Sequence, residues 1–422
     1  MLHSLAGILI FILTLTAIMT RPFRMSEALS AAIGAILMLV FRFLSPIEAV
    51  RLLLGEWNIF GFFLGLMTIA AIADQAGIFE VLANQTARLA GGSASKLFFG
   101  VFMVGTLLTA FLSNDATALI LTPAVYAMVT RLRLPVLPFM FVCTFIADTA
   151  SFLLPVSNPI NILILESFGS GLGIFLHYLF LPALFCIILN VGLFWFLFRA
   201  ELRRGFKLSD LPVVELPSPA YFRFTLVSLG AIAVAFVLAS FFRAPLSIVA
   251  LSGAAILLVG SRRYGRLSWV RLKGEISWSL FLFIGAVFLI IRAVKDLGLT
   301  DSFGALLIHL AGSSPLWSTL ITAAGSALGA NLINNVPMAL VMVPTLHGLI
   351  AADQARIGLV YAAIMGCDLG PNLTTVGSLA TMFWLVILRR KGLEVSSIEY
   401  FKLGVLIVPI MLAVGSVLIW LR

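Results

Sequence analysis

The chain has 422 residues, of which 61% are hydrophobic and 11% are Asp, Glu, Lys or Arg; its mean hydropathy is +1.14, whereas a soluble domain is roughly a quarter charged. The 27 Lys and Arg against 18 Asp and Glu give a net charge of +9, but the basic residues cluster in short segments between apolar runs, the positive-inside pattern of a polytopic membrane protein. Composition therefore excludes secreted, nucleic-acid-binding and soluble-enzyme classes.

A membrane-crossing helix takes about 20 apolar residues. The first run, LHSLAGILIFILTLTAIMT, has no basic leader and no small-x-small site before Arg21, so it reads as a retained span rather than a signal peptide. Further apolar runs follow at 26–45, 57–75, 97–113, 116–130, 134–168, 174–198, 221–241, 244–260, 276–292, 315–333, 336–350, 356–388 and 398–421. The longest polar stretch, RAELRRGFKLSDLPVVELPSPAY, spans the middle of the chain.

The two sides of that stretch repeat one another. NDATALILTP, from Asn114, aligns without gaps on NVPMALVMVP, from Asn335, with four of ten residues identical at an offset of 221. A weaker match joins DTASFLLPVSN from Asp148 to DLGPNLTTVGS from Asp368 at an offset of 220. The expected organisation is a first repeat over 1–200, a cytoplasmic linker over 201–220 and a second repeat over 221–422.

Charge placement sets the topology. With Arg21 and Arg24 in the cytoplasm, Arg88 and Lys96 return there after the 57–75 span, and Arg131 and Arg133 follow the next segment on the same side. A segment that leaves and returns to one side predicts a re-entrant hairpin over 97–130 with Asn114 and Asp115 at its tip, tolerated at membrane depth only inside protein or along a wet cavity. Each half then has five transmembrane segments, one of them broken (134–168 and 356–388), plus one hairpin; the second hairpin, 315–350, carries Asn334 and Asn335 at its tip. Five crossings are odd, so the expected fold is all-α and polytopic with inverted repeats and both termini outside. This arrangement places 20 of the 27 Lys and Arg in the cytoplasm. A twelve-span arrangement without hairpins competes with it.

Ionisable groups at membrane depth cost about 2.5–3.5 kcal/mol on insertion scales and mark transport pathways. Asp115, Asp148 and Asp368 are such groups and are the expected proton-coupling residues, with helix capping the plainer role for Asp115. Polar breaks follow the other two: Pro155, Ser157, Asn158, Pro159 and Asn161 in the first half; Gly370, Pro371, Asn372, Thr374, Thr375, Gly377 and Ser378 in the second. Broken helices expose amides and carbonyls that hold ions or small polar solutes, although a Pro kink alone would also break them. The four histidines are scattered, and Cys143, Cys186 and Cys367 lie in apolar runs without paired spacing, so neither a metal site nor a disulfide is expected and thiol ligation of a metalloid is the weaker reading. GxxxxGK[ST] is absent, so ATP hydrolysis and cofactors are not expected. Glu166 is placed at the outer interface.

SNDATALILTP, FIADTASFLLPVSNPIN, INNVPMALVMVP and DLGPNLTTVGSLATMFW together resemble the arsenite/antimonite efflux permease family of the ion transporter superfamily, over most of the chain. The resemblance implies two inverted repeats and export of trivalent arsenic and antimony as neutral trihydroxides in exchange for protons across a bacterial or archaeal cytoplasmic membrane. It implies a substrate site of Asn114, Asp115, Ser157, Asn158, Asn161, Asn334, Asn335, Asp368, Asn372, Thr374, Thr375, Gly377 and Ser378. The partners expected are arsenite or antimonite, protons and the lipid bilayer, with a soluble ATPase subunit and a second copy of the chain as further candidates. Two positions depart from the family pattern: Asn372 stands where Lys is usual, and Thr375 where Pro is usual, which bears on how Asp368 titrates and on proton stoichiometry. Competing functions are a sodium/proton antiporter on the same scaffold, a dicarboxylate carrier disfavoured by the acids, a membrane-embedded enzyme for which no nucleophile-base constellation is visible, and a passive channel.

Overall fold

The computed structural model describes residues 2–20, 22, 25–211, 218–242, 244–298, 302, 305–307, 309–310, 314–352, 354–375 and 377–422. Nineteen α-helices are bounded within them. The first half holds α1 (Leu2–Thr20), α2 (Glu27–Val40), α3 (Pro46–Gly55), α4 (Trp57–Gln75), α5 (Ile78–Leu89), α6 (Ala94–Phe111), α7 (Asn114–Arg131), α8 (Val136–Thr149), α9 (Pro159–Ser167) and α10 (Leu172–Phe198). The second holds α11 (Pro219–Phe241), α12 (Leu246–Arg263), α13 (Trp269–Glu275), α14 (Trp278–Asp296), α15 (Pro315–Ile333), α16 (Asn335–Ala352), α17 (Gly358–Leu369), α18 (Leu379–Arg390) and α19 (Ser397–Trp420). Eight helices are long and apolar enough to cross a membrane, and the chain is an all-α polytopic membrane protein.

Local chemistry accounts for the boundaries. Ser45, Ser93, Ser113, Ser218, Ser314, Ser378 and Ser396 each accept a hydrogen bond from an amide in the first turn of the following helix, satisfying a donor that would otherwise be orphaned. Pro46, Pro159, Pro219 and Pro315 occupy the first turn, where their missing N–H costs nothing. Glycines let helices touch. A Cβ on Gly65 would lie 2.6 Å from that of Ala250, locking α4 to α12, and one on Gly366 would run into the Ala323 carbonyl of α15.

The halves match element by element. α7 plus 221 residues lands on α16, and α4 plus 221 lands on α14. Packing follows the same rule: α4 lies along α12 as α14 lies along α2, and α6 and α7 pack on α8 as α15 and α16 pack on α17. The predicted 97–130 hairpin corresponds to α6 and α7, which turn back within two residues inside the protein, with Ser113 and Asn114 buried. Thr109 Oγ1 donates to Thr117 Oγ1 at 2.9 Å between its arms. The second hairpin turns at Asn334, whose positive φ of 75° suits Asn among non-glycine residues.

The two hairpin bases lie at different faces. Ser93, at the base of α6, bridges Gly205, and Tyr126 of α7 donates to the Lys391 carbonyl at 3.2 Å, so this base shares a face with the basic loop after α10. His347, near the end of α16, instead stacks on Phe168 with ring centroids 4.2 Å apart, at the far end of α9. The predicted 201–220 linker carries short 3-10 turns at Glu201–Arg203 and Leu208–Asp210; 212–217 lie outside the described residues.

Candidate functional site

The two helix breaks and the first hairpin tip meet in one buried polar cluster. α8 stops at Thr149 and α9 restarts at Pro159; α17 stops at Leu369 and α18 restarts at Leu379. Asn158 caps α9 by accepting from Ile160 N at 3.2 Å, and Ser378 caps α18 by accepting from Thr381 N at 3.1 Å. The N-termini of α7, α9 and α18 therefore converge, and their partial positive charge favours anionic oxygen.

The carboxylates Asp148 and Asp368 sit at this convergence, each 1% exposed. Asp148 Oδ2 accepts from Ser378 Oγ at 3.3 Å and Thr381 Oγ1 at 3.1 Å, and Oδ1 accepts from Asn114 Nδ2 at 3.4 Å. Asp368 Oδ1 accepts from Asn158 Nδ2 at 2.6 Å. Each carboxylate is thus held by the opposite half's break: Asp148 by Ser378 and Thr381, Asp368 by Asn158. No buried Lys, Arg or His appears among the described residues, so hydroxyls, amides and helix ends take the place of counter-ions.

The remaining predicted residues support this centre in different ways. Ser157 Oγ donates to Ala110 O at 3.2 Å, fastening the first break to the hairpin. Asn161 Nδ2 donates to Ser151 O at 2.7 Å and closes the unwound loop over the carboxylate region. Asn372 turns toward α8, donating to Phe145 O at 3.3 Å and Thr149 Oγ1 at 3.1 Å. Asn335 N donates to Gly377 O at 3.0 Å, so the second hairpin tip touches the second break. Asn334 Oδ1 accepts from Val336 N at 3.4 Å. Thr374 is partly buried and Thr375 buried beside them.

Asp115 stands apart from that cluster. Ser113, not Asp115, caps α7, which removes the plain capping role. Asp115 instead lines a cavity of about 620 Å³ together with Ser113, and with Asp74, Glu275 and Arg390 nearer the basic face. Phe63, Leu66, Met67, Leu119 and Phe383 make most of the remaining wall apolar. One polar tip at the end of an apolar cavity is the usual form of a small-solute site.

Several residues of the site belong to no motif in the sequence. Asn331 donates to Ala327 O and Gly370 O, both at 2.7 Å, and accepts from Thr374 Oγ1 at 2.7 Å, clasping the second break. Asn190 donates to Thr149 Oγ1 at 2.8 Å, and the Tyr400 hydroxyl lies 3.5 Å from Thr381 Oγ1. A buried Asn in an otherwise apolar helix, as at Asn190, was the available signal.

A family model described as "Arsenical pump membrane protein" matches residues 6–421. The chain belongs to the arsenical pump membrane protein family. An arsenical pump membrane protein of Escherichia coli strain K12 is 30% identical over 402 residues, 94% of each chain, and one of Yersinia enterocolitica is 29% identical over the same length and share. A 46 kDa membrane protein of Mycobacterium leprae is 26% identical over 375 residues, 87% of this chain and 86% of its own. In fold, the chain is similar to the Alcanivorax borkumensis YdaH transporter, with a TM-score of 0.58 and 17% identity over 88% of this chain and 86% of that one. The family match spans both breaks and both hairpins, so the convergent cluster falls wholly within it.

Proposed function

We propose that the protein exports trivalent arsenic and antimony, as neutral trihydroxides, across a cytoplasmic membrane in exchange for protons. The observation that carries the reading is the junction of the first hairpin tip with both helix breaks around Asp148 and Asp368, in a chain of the arsenical pump family. The halves act as inverted repeats, with the basic face cytoplasmic and both termini outside.

Substrate enters the cavity that reaches Asp115 from the basic face. A trihydroxide offers three O–H donors and several lone pairs. Asp115 accepts from its hydroxyls, while the Ser113 hydroxyl beside it and the positive end of α7 favour its oxygens. Without thiolates at the site, binding is weak and exchangeable, which favours release. Asp115, Asp148 and Asp368 carry the exchanged protons: a carboxylate that takes up a proton loses two-sided acceptor capacity for the substrate, so protonation from outside discharges arsenic and deprotonation toward the cytoplasm restores affinity.

Cells lacking their own arsenic exporter test this directly. Expression is expected to raise the tolerated arsenite concentration and lower intracellular arsenic, and Asn114→Ala is expected to abolish both effects. Unchanged intracellular arsenic with the protein in the membrane would refute the reading.

A further inference from the structure

The two halves differ at one contact where symmetry would make them alike. On the face away from the basic loops, Asn58 Nδ2 at the start of α4 donates to Glu166 Oε1 at the end of α9. The same Asn58 accepts from Ser247 N of α12 at 3.2 Å through Oδ1. One amide therefore joins the close-packed α4 and α12 pair to the broken helix that carries the site. At an offset of 221, WNIF over 57–60 falls on WSLF over 278–281, making Ser279 the counterpart of Asn58; at the break offset of 220, Val386 is the counterpart of Glu166. Valine accepts nothing. Ser279 lies 3.2 Å from Ser277 instead, and Ser279 and Val386 flank an open space of about 110 Å³.

The cavities repeat this asymmetry. The cavity on the basic face reaches Ser113 and Asp115 at the first hairpin tip. Its counterpart on the other face, about 500 Å³ and lined by Glu56, Glu166, Arg292, Lys295 and His347, goes no deeper along α16, among the described residues, than Leu340, five residues beyond the second tip at Asn335. Leu340 is the 221-offset counterpart of Leu119, which lines the first cavity.

We propose that Glu166 and Asn58 form a one-sided latch that holds the outer vestibule shut and biases the protein toward the state open at the basic face. The inference rests on the transport reading, and adds which vestibule is closed and by what. A hydrogen bond to a charged group in a partly buried setting is worth more than one between neutral groups, so its loss shifts the balance between the two states.

The test uses the full-length protein in right-side-out and everted vesicles without any arsenical, with a membrane-impermeant maleimide as probe. Leu340→Cys reports the outer vestibule and Leu119→Cys the inner cavity; Cys143, Cys186 and Cys367 are buried and give the background. Glu166→Val and Asn58→Leu are each expected to speed Leu340→Cys labelling about tenfold and slow that of Leu119→Cys, with the double variant no stronger than either single one. Glu166→Gln retains an acceptor but not the charge and is expected to label at a rate between those of the parent and the Val variant. Parental labelling in both the Val and Leu variants, additive effects, or a Gln variant that behaves like Val would overturn the latch. Failure of arsenite transport with these labelling shifts intact would sink only the substrate assignment.

Discussion

Asn158 and Asp368, 210 positions apart in the chain, are joined by a 2.6 Å hydrogen bond from the Asn158 amide to Asp368 Oδ1. The residue that caps the restarted helix of one half thus holds the carboxylate in the break of the other, and the site exists only where the halves meet.

Breaking that bond is expected to cripple transport without unfolding the protein. Asn158→Ala removes both the α9 cap and the donor to a buried carboxylate, a charge-assisted bond worth about 1.5–3 kcal/mol. Arsenite flux in everted vesicles is expected to fall about 10- to 100-fold. Asn158→Asp keeps the cap but puts a second carboxylate against Asp368, so its flux is expected to fall at least as far. Flux equal to the parent's in either variant would remove this pair from the site.

Asp148 and Asp115 are separable by geometry. Asp148→Asn keeps the shape that Ser378, Thr381 and Asn114 grip but removes one of the three ionisable groups, so residual arsenite flux is expected to lose most of its dependence on the pH gradient. Asp115→Asn, in the cavity wall, is expected to raise the arsenite KM and to leave a measurable gradient dependence. Parallel KM and gradient titrations of the two variants check the division; identical profiles would mean that cavity and cluster act as one.

Close backbone approach makes a stability prediction. A Cβ on Gly404 would strike the Asn372 carbonyl of the second break, and one on Gly370 would sit 2.6 Å from the Ala327 carbonyl. Backbone cannot rotate away as a side chain can, so Gly404→Ala and Gly370→Ala are each expected to cost about 1–3 kcal/mol. Gly173→Ala, where nothing lies within 4 Å, is the control. Thermal denaturation in detergent is expected to show a lowered midpoint for the first two alone.

Asn331 is expected to matter as much as the motif residues. Asn331→Leu leaves the Gly370 carbonyl and the Thr374 hydroxyl without their partner, at about 1–3 kcal/mol for each buried group stranded. Both melting temperature and arsenite flux are expected to drop, while Asn331→Asp, which keeps the acceptor for Thr374, is expected to recover part of the flux.

Those sites show where sequence reading succeeds and where it stops. Asn114, Asp148, Asn158 and Asp368 were legible because a polar residue in an apolar run, repeated at a fixed offset, has few explanations. The first hairpin is legible because basic residues flank both ends of its segment, and the second because five crossings per half invert the repeat. Asn331 is not legible because two of its three partners, Gly370 and Thr374, are set by how α15 lies against the second break, and chain order does not encode that approach. The sequence puts Glu166 at the outer interface, but its bond to Asn58 joins residues 108 positions apart, and neither carries a motif. The amphipathic α3 and α5 and the seven-residue α13 lie between longer apolar runs and are too short to cross a membrane, so apolar length does not mark them.

Coupled export is decided by arsenite uptake into everted vesicles or proteoliposomes in sodium-free buffer, with and without an acid-inside pH gradient. Accumulation above the external concentration is expected only with the gradient imposed, collapsing when a protonophore is added. Uptake that merely equilibrates, or proton flux that requires sodium and ignores arsenite, would contradict it.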